Sequence, residues 1–161
     1  MTIHTGIYGD NKMNWINIYG LVFMLVIMTP NIVFAIKNKD DFHNLWGNRI
    51  VETFEQIGRF GCFGFMVVII PNCGFGFSSN EAFVVYLIAD IALITAYCLI
   101  WIICFKKKSV FKALALSVIP SVLFLLSGIL SHYLPLCIAS VIFAPCHIAI
   151  SYKNAVIETQ R

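Results

Sequence analysis

The sequence predicts an all-α integral membrane protein in which five transmembrane helices form one bundle, with the N-terminus outside and the C-terminus in the cytoplasm. Three observations predict this fold class: long apolar runs, scarce charge, and basic residues confined to one side. The chain is 60% hydrophobic and 12% charged, and its mean hydropathy is +0.86. Average soluble domains are about 45 to 50% apolar and about 25% charged. A soluble fold of this length could not bury so many apolar runs.

Five segments meet or approach the length of a membrane crossing, which needs about 20 mostly apolar residues. Together they make residues 1–161 a single transmembrane domain, with helices predicted at residues 15–36, 51–70, 82–105, 110–131 and 134–152. The first fourteen residues lack the basic, apolar and small-residue order of a signal peptide. We therefore expect the first apolar run to be retained as a helix.

The second segment is the least regular of the five. It begins with Glu52, Glu55 and Arg59, and only residues 60–70 are continuously apolar. Its start is therefore expected to lie in the membrane interface.

The fourth and fifth segments are separated only by His132 and Tyr133. This spacing predicts a tight helical hairpin, in which Pro135 occupies the first turn of the later helix. A single helix over both segments would be too long for one crossing.

The basic residues predict the orientation of the bundle. Nine of them fall on one side if the chain crosses five times: Lys37, Lys39, Arg49, Lys106, Lys107, Lys108, Lys112, Lys153 and Arg161. On the other side the loops at residues 71–81 and 131–133 contain no Lys or Arg, and only Lys12 of the N-terminal segment is basic. The positive-inside rule makes the basic side cytoplasmic. Only an odd number of spans produces this alternation.

Glu55 and Arg59 lie one turn apart within the second segment, a spacing that puts both side chains on one helix face. One interpretation is a structural ion pair, with Arg59 reaching outwards to the interface. The other is a ligand pocket in which Arg59 binds an anionic group through two donors.

Asp90 is flanked by apolar residues on both sides, about 12 Å from the end of its helix at 1.5 Å per residue. A protonated carboxyl at this depth would serve as a hydrogen-bonding strut between helices. An intramembrane acid is also typical of proton relays and cation-coupling sites.

His147 and Asn31 complete the set of candidate binding residues. Both lie in the cytoplasmic half of the predicted bundle, at the depth of Glu55 and Arg59. A single histidine is more typical of a hydrogen-bonded interior group than of a ligand, and Asn31 is expected to hydrogen-bond between helices. From depth alone, we hypothesise that these four side chains share one layer.

Glycines recur every third residue in the second segment, at Gly58, Gly61 and Gly64. Small residues at membrane helix interfaces let backbones approach closely. This face is therefore predicted to pack against another helix. It is not a dinucleotide fingerprint, because it follows no strand.

Motifs of enzymes and cofactor sites are missing from the sequence. It contains no HExxH, GxSxG, Walker or CxxC motif, so an enzyme is not favoured, and neither a cofactor nor a metal is expected. The basic residues form clusters beside apolar runs rather than one basic face, so nucleic acid is not an expected partner. The expected partners are the lipid bilayer and either a second copy or another membrane protein.

Two segments carry a resemblance to a known group. They are ETFEQIGRFGCF at residues 52–63, followed by an apolar run and a proline, and FAPCHIAISYKNA at residues 143–155. In these the chain resembles small multispanning membrane proteins of low-GC Gram-positive bacteria, a group without an assigned activity. The resemblance implies a location in the cytoplasmic membrane of a bacterium, and it implies no catalytic residue.

Three functions remain open from the sequence. The leading one is transport or binding of a small molecule or ion, in a cavity walled by Glu55, Arg59, Asp90 and His147. Five spans are too few for a two-fold repeated transporter, so transport would require an oligomer or a partner subunit. The alternatives are an accessory, sensor or immunity-type protein that binds another membrane protein, and a lipid-modifying enzyme with Glu55 or His147 as acid or base.

Overall fold

The computed structural model describes residues 15–37, 45–105 and 109–160. These residues form five α-helices and no β-strand: α1 (Ile18–Lys37), α2 (Arg49–Val67), α3 (Asn80–Cys104), α4 (Val110–Leu130) and α5 (Leu134–Thr159). Four of them, α1, α3, α4 and α5, are long and apolar enough to cross a membrane, whereas α2 is not. The predicted class of a helical membrane bundle is therefore confirmed, and α2 is the least apolar of the five helices.

The start of α1 and the end of α2 differ from the predicted boundaries for a common reason. Residues 15–17 are extended and pair with residues 67–69, since Asn17 N donates to Val67 O at 2.8 Å and Ile69 N donates to Trp15 O at 2.8 Å. The segment after Val67 is a run of β-branched residues, which favour extended backbone. Helix α2 therefore ends three residues earlier than hydropathy predicts.

Polar residues set the starts of three helices. Asn48, Ser79 and Ser109 cap α2, α3 and α4, each accepting a hydrogen bond from the backbone N–H three residues later. Such caps satisfy backbone donors that the first helical turn leaves unpaired.

The end of α5 lies well beyond the predicted position at residue 152, because the helix continues to Thr159. The loop before α2 is hydrogen-bonded to the last turns of α5: Leu45 N and Trp46 N both donate to Asn154 Oδ1, at 3.1 and 3.0 Å. Hydropathy marks where a chain leaves the apolar layer, and not where its helix ends. The predicted boundary was therefore wrong although the helix was correct.

Consecutive helices run in opposite directions. The pairing of residues 15–17 with residues 67–69 makes α1 antiparallel to α2. Along α2 and α5, Gly58 lies against Phe143 and Cys62 lies against Ser140, so these two helices are antiparallel as well.

The remaining directions follow from α3 and from the hairpin of α4 and α5. Tyr19 contacts Phe83, and Asn31 contacts Tyr97, so α1 and α3 run in parallel. The short turn between α4 and α5 reverses the chain. Among the described basic residues, Lys37, Arg49, Lys112 and Lys153 consequently lie toward the same end of the bundle, which we call the basic end. The opposite end is the neutral end.

The five helices pack as a ring. Each contacts two neighbours, in the order α1, α2, α5, α4, α3 and back to α1, and α2 also contacts α4. Despite its charges, α2 is therefore an integral member of the bundle. Its buried stripe consists of Glu55, Gly58, Cys62 and Met66.

The predicted glycine face is confirmed at two of its three positions. A Cβ atom at Gly58 would lie 2.7 Å from the Phe143 backbone, and one at Gly61 would lie 3.0 Å from Ala139 Cβ. Nothing lies within 4 Å of a Cβ at Gly64. Since a step of three residues falls short of the 3.6-residue turn, each glycine is rotated from the one before. Gly64 has thus turned away from α5, and its assignment to the packed face was wrong.

The neutral end of the ring is filled by aromatic side chains, which we call the aromatic cap: Phe75, Phe77, Phe83, Tyr86 and Tyr133. Phe75 and Phe77 come from the loop after α2. The Tyr133 hydroxyl holds the start of this loop, because it accepts from Ile70 N at 2.8 Å and donates to Val68 O at 3.0 Å. Open space inside the ring therefore lies toward the basic end.

Candidate functional site

The centre of the candidate site is the Glu55 carboxylate, which is 2% exposed. Arg59, one turn further along α2, donates from Nε to Glu55 Oε1 at 3.0 Å, and its Nη2 contacts the same oxygen. The ion pair, which is one of the two interpretations of this spacing, is present.

His147 joins this pair from α5. Its Nδ1 lies 2.9 Å from the same Oε1 atom of Glu55. The Phe143 ring stacks on the imidazole, with centroids 4.5 Å apart and planes inclined by 20°. One buried carboxylate oxygen thus positions both a guanidinium and an imidazole.

A cavity of about 600 Å³ opens beside this cluster, with side chains of all five helices in its lining. Its walls are mostly apolar. They combine aliphatic side chains with seven aromatic ones: Phe34, Phe63, Tyr97, Trp101, Phe105, Phe124 and Phe143. Among the described residues, the polar part of the lining consists of Asn31, Arg59, Ser109, Lys112, His147, Ser151, Asn154 and Glu158. Most of these polar residues lie toward the basic end.

Lys112, one of the nine basic residues that predict the orientation, also lines the cavity. Its Nζ lies 4.8 Å from the centroid of the Phe34 ring and 4.9 Å from that of Trp101, and it donates to Phe105 O at 3.0 Å. Cation–π contacts of this kind hold an ammonium group against aromatic faces. The sequence signal was a lysine in the first turn of an apolar helix, but its ring partners come from α1 and α3.

Asn31 lies in the lining and links two helices. Its Oδ1 accepts from the Tyr97 hydroxyl at 2.7 Å, and its Nδ2 donates to Ile27 O at 3.1 Å. The predicted interhelical hydrogen bond is confirmed. Trp101 is only 7% exposed and forms part of the cavity wall.

Asp90 lies away from this cluster, in the interface of α3 and α4. It is 0% exposed, and its Oδ2 accepts from the Ser127 hydroxyl at 2.7 Å. Within the described residues, Oδ1 has no hydrogen-bond partner. The hydrogen bond expected of an interhelical strut is present, but Asp90 is absent from the cavity lining.

The structure therefore brings four of the five candidate residues together and leaves the fifth apart. Asn31, Arg59 and His147 line one cavity. Glu55, which is not in the lining, hydrogen-bonds Arg59 and His147. The hypothesis of a single layer, made from depth, holds for these four side chains. The expectation that Asp90 lines the same cavity was wrong. Two polar residues that both lie within apolar helices need not face the same helix interface.

Neither the metal-ligand residues that the structure describes nor the comparisons with known proteins indicate a function. Among the described residues, no group of three His, Cys, Asp or Glu side chains is placed to hold a metal ion. Comparisons with protein-family models, with curated proteins and with solved structures give no match to this chain. What the protein does must therefore be inferred from the cavity and its polar side chains.

Proposed function

We propose that this protein is a five-span membrane protein that binds an anionic amphiphile, a molecule with an apolar body and an acidic head, in the cavity at its basic end. The observation that carries the proposal is an arginine held in place by a buried carboxylate within an aromatic cavity. The cavity volume of about 600 Å³ is typical of small-molecule sites. Such sites combine mostly apolar walls with a few placed polar groups.

Arg59 is the residue suited to the acidic head. A guanidinium has five N–H donors, and Glu55 engages only Nε and Nη2. The side chain of Arg59 is 37% exposed and lines the cavity, so its other donors are available to a ligand. Because Glu55 fixes the guanidinium before a ligand arrives, little side-chain entropy is lost on binding. Lys112 places a second cation in the same lining.

The aromatic walls suit the apolar body. Phe34, Trp101 and Phe124 line the cavity with α1, α3 and α4 behind them. The aromatic cap fills the neutral end of the ring, so the cavity is a cup rather than a continuous pore. This shape favours binding over permeation. The bilayer itself is the proposed source of the ligand.

The proposed topology has all five helices crossing the membrane, with the N-terminus outside and the basic end in the cytoplasm. Alternating helix directions and the place of α2 in the ring support this arrangement. At 19 residues, α2 is about 28 Å long, close to the apolar thickness of a bilayer. Its central charges pair with each other inside the bundle. The proposed location is the cytoplasmic membrane of a bacterium, on the resemblance noted above.

Trp101 gives a direct test, because it lies in the cavity wall. In a variant with Trp15→Phe and Trp46→Phe, Trp101 is the sole tryptophan. Lipids with brominated acyl chains quench tryptophan on contact. We expect brominated phosphatidylglycerol to quench Trp101 saturably in detergent micelles, and Arg59→Gln to weaken this binding about tenfold or more, since hydrogen bonds to charged groups contribute about 1.5 to 3 kcal/mol.

Arg49→Gln is the matched control. It removes the same charge from the exposed start of α2, outside the cavity lining. Equal loss of binding in both variants would indicate general attraction of anionic lipid to the basic end, and it would contradict a specific site at Arg59. Quenching that never saturates would contradict the cavity as a binding site.

A further inference from the structure

The protonation pattern of His147 follows from its partner. Glu55 is paired with a guanidinium, so its carboxylate is ionised and can only accept hydrogen bonds. The nitrogen that lies 2.9 Å from it, His147 Nδ1, must therefore carry the hydrogen. In the neutral imidazole the other nitrogen, Nε2, is then an acceptor.

The His147 ring presents this acceptor in a fixed position. Phe143 stacks on one face of the ring, and Glu55 holds its Nδ1 edge. The residue lines the cavity, and no described residue hydrogen-bonds its Nε2 atom. Because Glu55 occupies the Nδ1 edge and Phe143 covers one face, the Nε2 edge of the ring is the part that a ligand can reach.

One carboxylate oxygen holds Arg59 and His147 next to each other. Arg59 Nε and His147 Nδ1 share one carboxylate oxygen at 3.0 and 2.9 Å, so the two atoms are at most about 6 Å apart. The amide oxygens of Asn31 and Asn154, also in the lining, already accept hydrogen bonds from other groups. Of these three side chains, His147 is thus the one with an acceptor atom that no described residue uses.

We infer that the site selects anionic lipids whose head carries a hydroxyl beside the phosphate: Arg59 binds the phosphate oxygen, and His147 Nε2 accepts the hydroxyl hydrogen. This inference rests on the proposed function and adds the class of ligand to it. Phosphatidylglycerol has the required head, whereas phosphatidylmethanol has the same charge and no hydroxyl. A comparison of these two lipids therefore isolates the contribution of His147 to binding.

The test compares these two lipids with identical brominated chains in alkaline buffer, using Trp101 as the sole tryptophan. We expect phosphatidylglycerol to bind about fivefold to tenfold more tightly, the effect of one net hydrogen bond. His147→Phe, which keeps an aromatic ring against Phe143, should abolish this preference. Retained binding of phosphatidylmethanol shows that the variant is folded.

His132→Asn is the control, because His132 lies in the turn at the neutral end and contacts Ser78 instead. It should leave the preference unchanged. Equal affinity of the parent for the two lipids, or an unchanged preference in His147→Phe, overturns the inference. If both lipids still depend on Arg59, the proposed function survives that failure. Water-soluble glycerol phosphate should not displace the lipid at equal concentration, and displacement would identify a soluble phosphate as the ligand instead.

Discussion

Two buried acids show how differently similar residues are used inside one bundle. Glu55 binds a guanidinium and an imidazole, and so holds two cavity residues in place. Asp90 accepts a single described hydrogen bond, from Ser127 on the neighbouring helix. In an apolar layer an unpaired polar group costs free energy. Asp90 is therefore expected to contribute to stability through this one bond.

Ser127→Ala tests that contribution. It removes the described partner of Asp90, and we expect the free energy of unfolding to fall by about 1 to 3 kcal/mol, the cost of a buried polar group left without its hydrogen bond. The measurement is thermal or denaturant unfolding in detergent. Ser121→Ala is the matched control, because Ser121 is buried on the same helix but donates within it, to Ser117 O.

Asp90→Asn tests the interpretation of Asp90 as a strut from the other side of the same hydrogen bond. Asp90→Asn keeps an oxygen that accepts from Ser127, so it should be more stable than Ser127→Ala and should retain lipid binding in the cavity. Equal stability of Ser127→Ala and Ser121→Ala would contradict the structural role of the bond. Loss of lipid binding in Asp90→Asn would show that Asp90 affects the cavity from a distance.

At the scale of elements, the contact of α2 with α5 decides where the site forms. Gly58 lets the two backbones meet one turn from Glu55, and this close approach brings His147 within reach of the carboxylate. A larger residue here would separate the helices. The glycine is thus needed for the site as well as for packing.

Gly58→Ala is predicted to destabilise the protein by about 1 to 3 kcal/mol, the usual cost of overpacking, because its Cβ would lie 2.7 Å from the Phe143 backbone. Gly64→Ala meets nothing within 4 Å. It should be neutral or stabilising by up to about 1 kcal/mol, since alanine is favoured over glycine within a helix. Unfolding of both variants in detergent checks this, and a larger loss for Gly64→Ala would contradict the described packing of α2 on α5.

At the scale of the whole molecule, the ring of alternating helices makes a definite prediction about topology. Arg49 and Cys73 lie at opposite ends of α2, in the helix start and in the following loop. If α2 crosses the membrane, these positions face opposite sides. If α2 only lies on the membrane, they face the same side.

Labelling with a membrane-impermeant maleimide distinguishes these arrangements in intact cells. In a variant that retains Cys73 as its sole cysteine, we expect labelling without permeabilisation. In a cysteine-free variant that carries Arg49→Cys, we expect labelling only after permeabilisation, because the proposed topology puts the basic end in the cytoplasm. The reverse pattern would contradict the orientation, and identical behaviour of the two positions would contradict the five-span count.

The sequence by itself determined the membrane class, the five helices and the pairing of Glu55 with Arg59. Each of these depends on neighbours along the chain: hydropathy is a property of a window, and a pair one turn apart is fixed by helix geometry. Helix ends were less well determined where local chemistry decided them, as in the β-branched run after Val67. The cytoplasmic side of the basic residues remains a prediction, and five of them also lie outside the described ranges: Lys39, Lys106, Lys107, Lys108 and Arg161.

Only the tertiary structure decided which side chains share the cavity. His147 reaches Glu55 across 92 positions, and Lys112 lies over rings from two other helices. The position of a residue along its helix indicates its depth in the membrane. Which neighbours its side chain meets depends on how the helices pack, and the sequence of one helix does not give that packing. Asp90 is separated from the cavity for this reason. The close contact at Gly58 gives α2 its rotation, and this rotation directs Glu55 and Arg59 into the bundle.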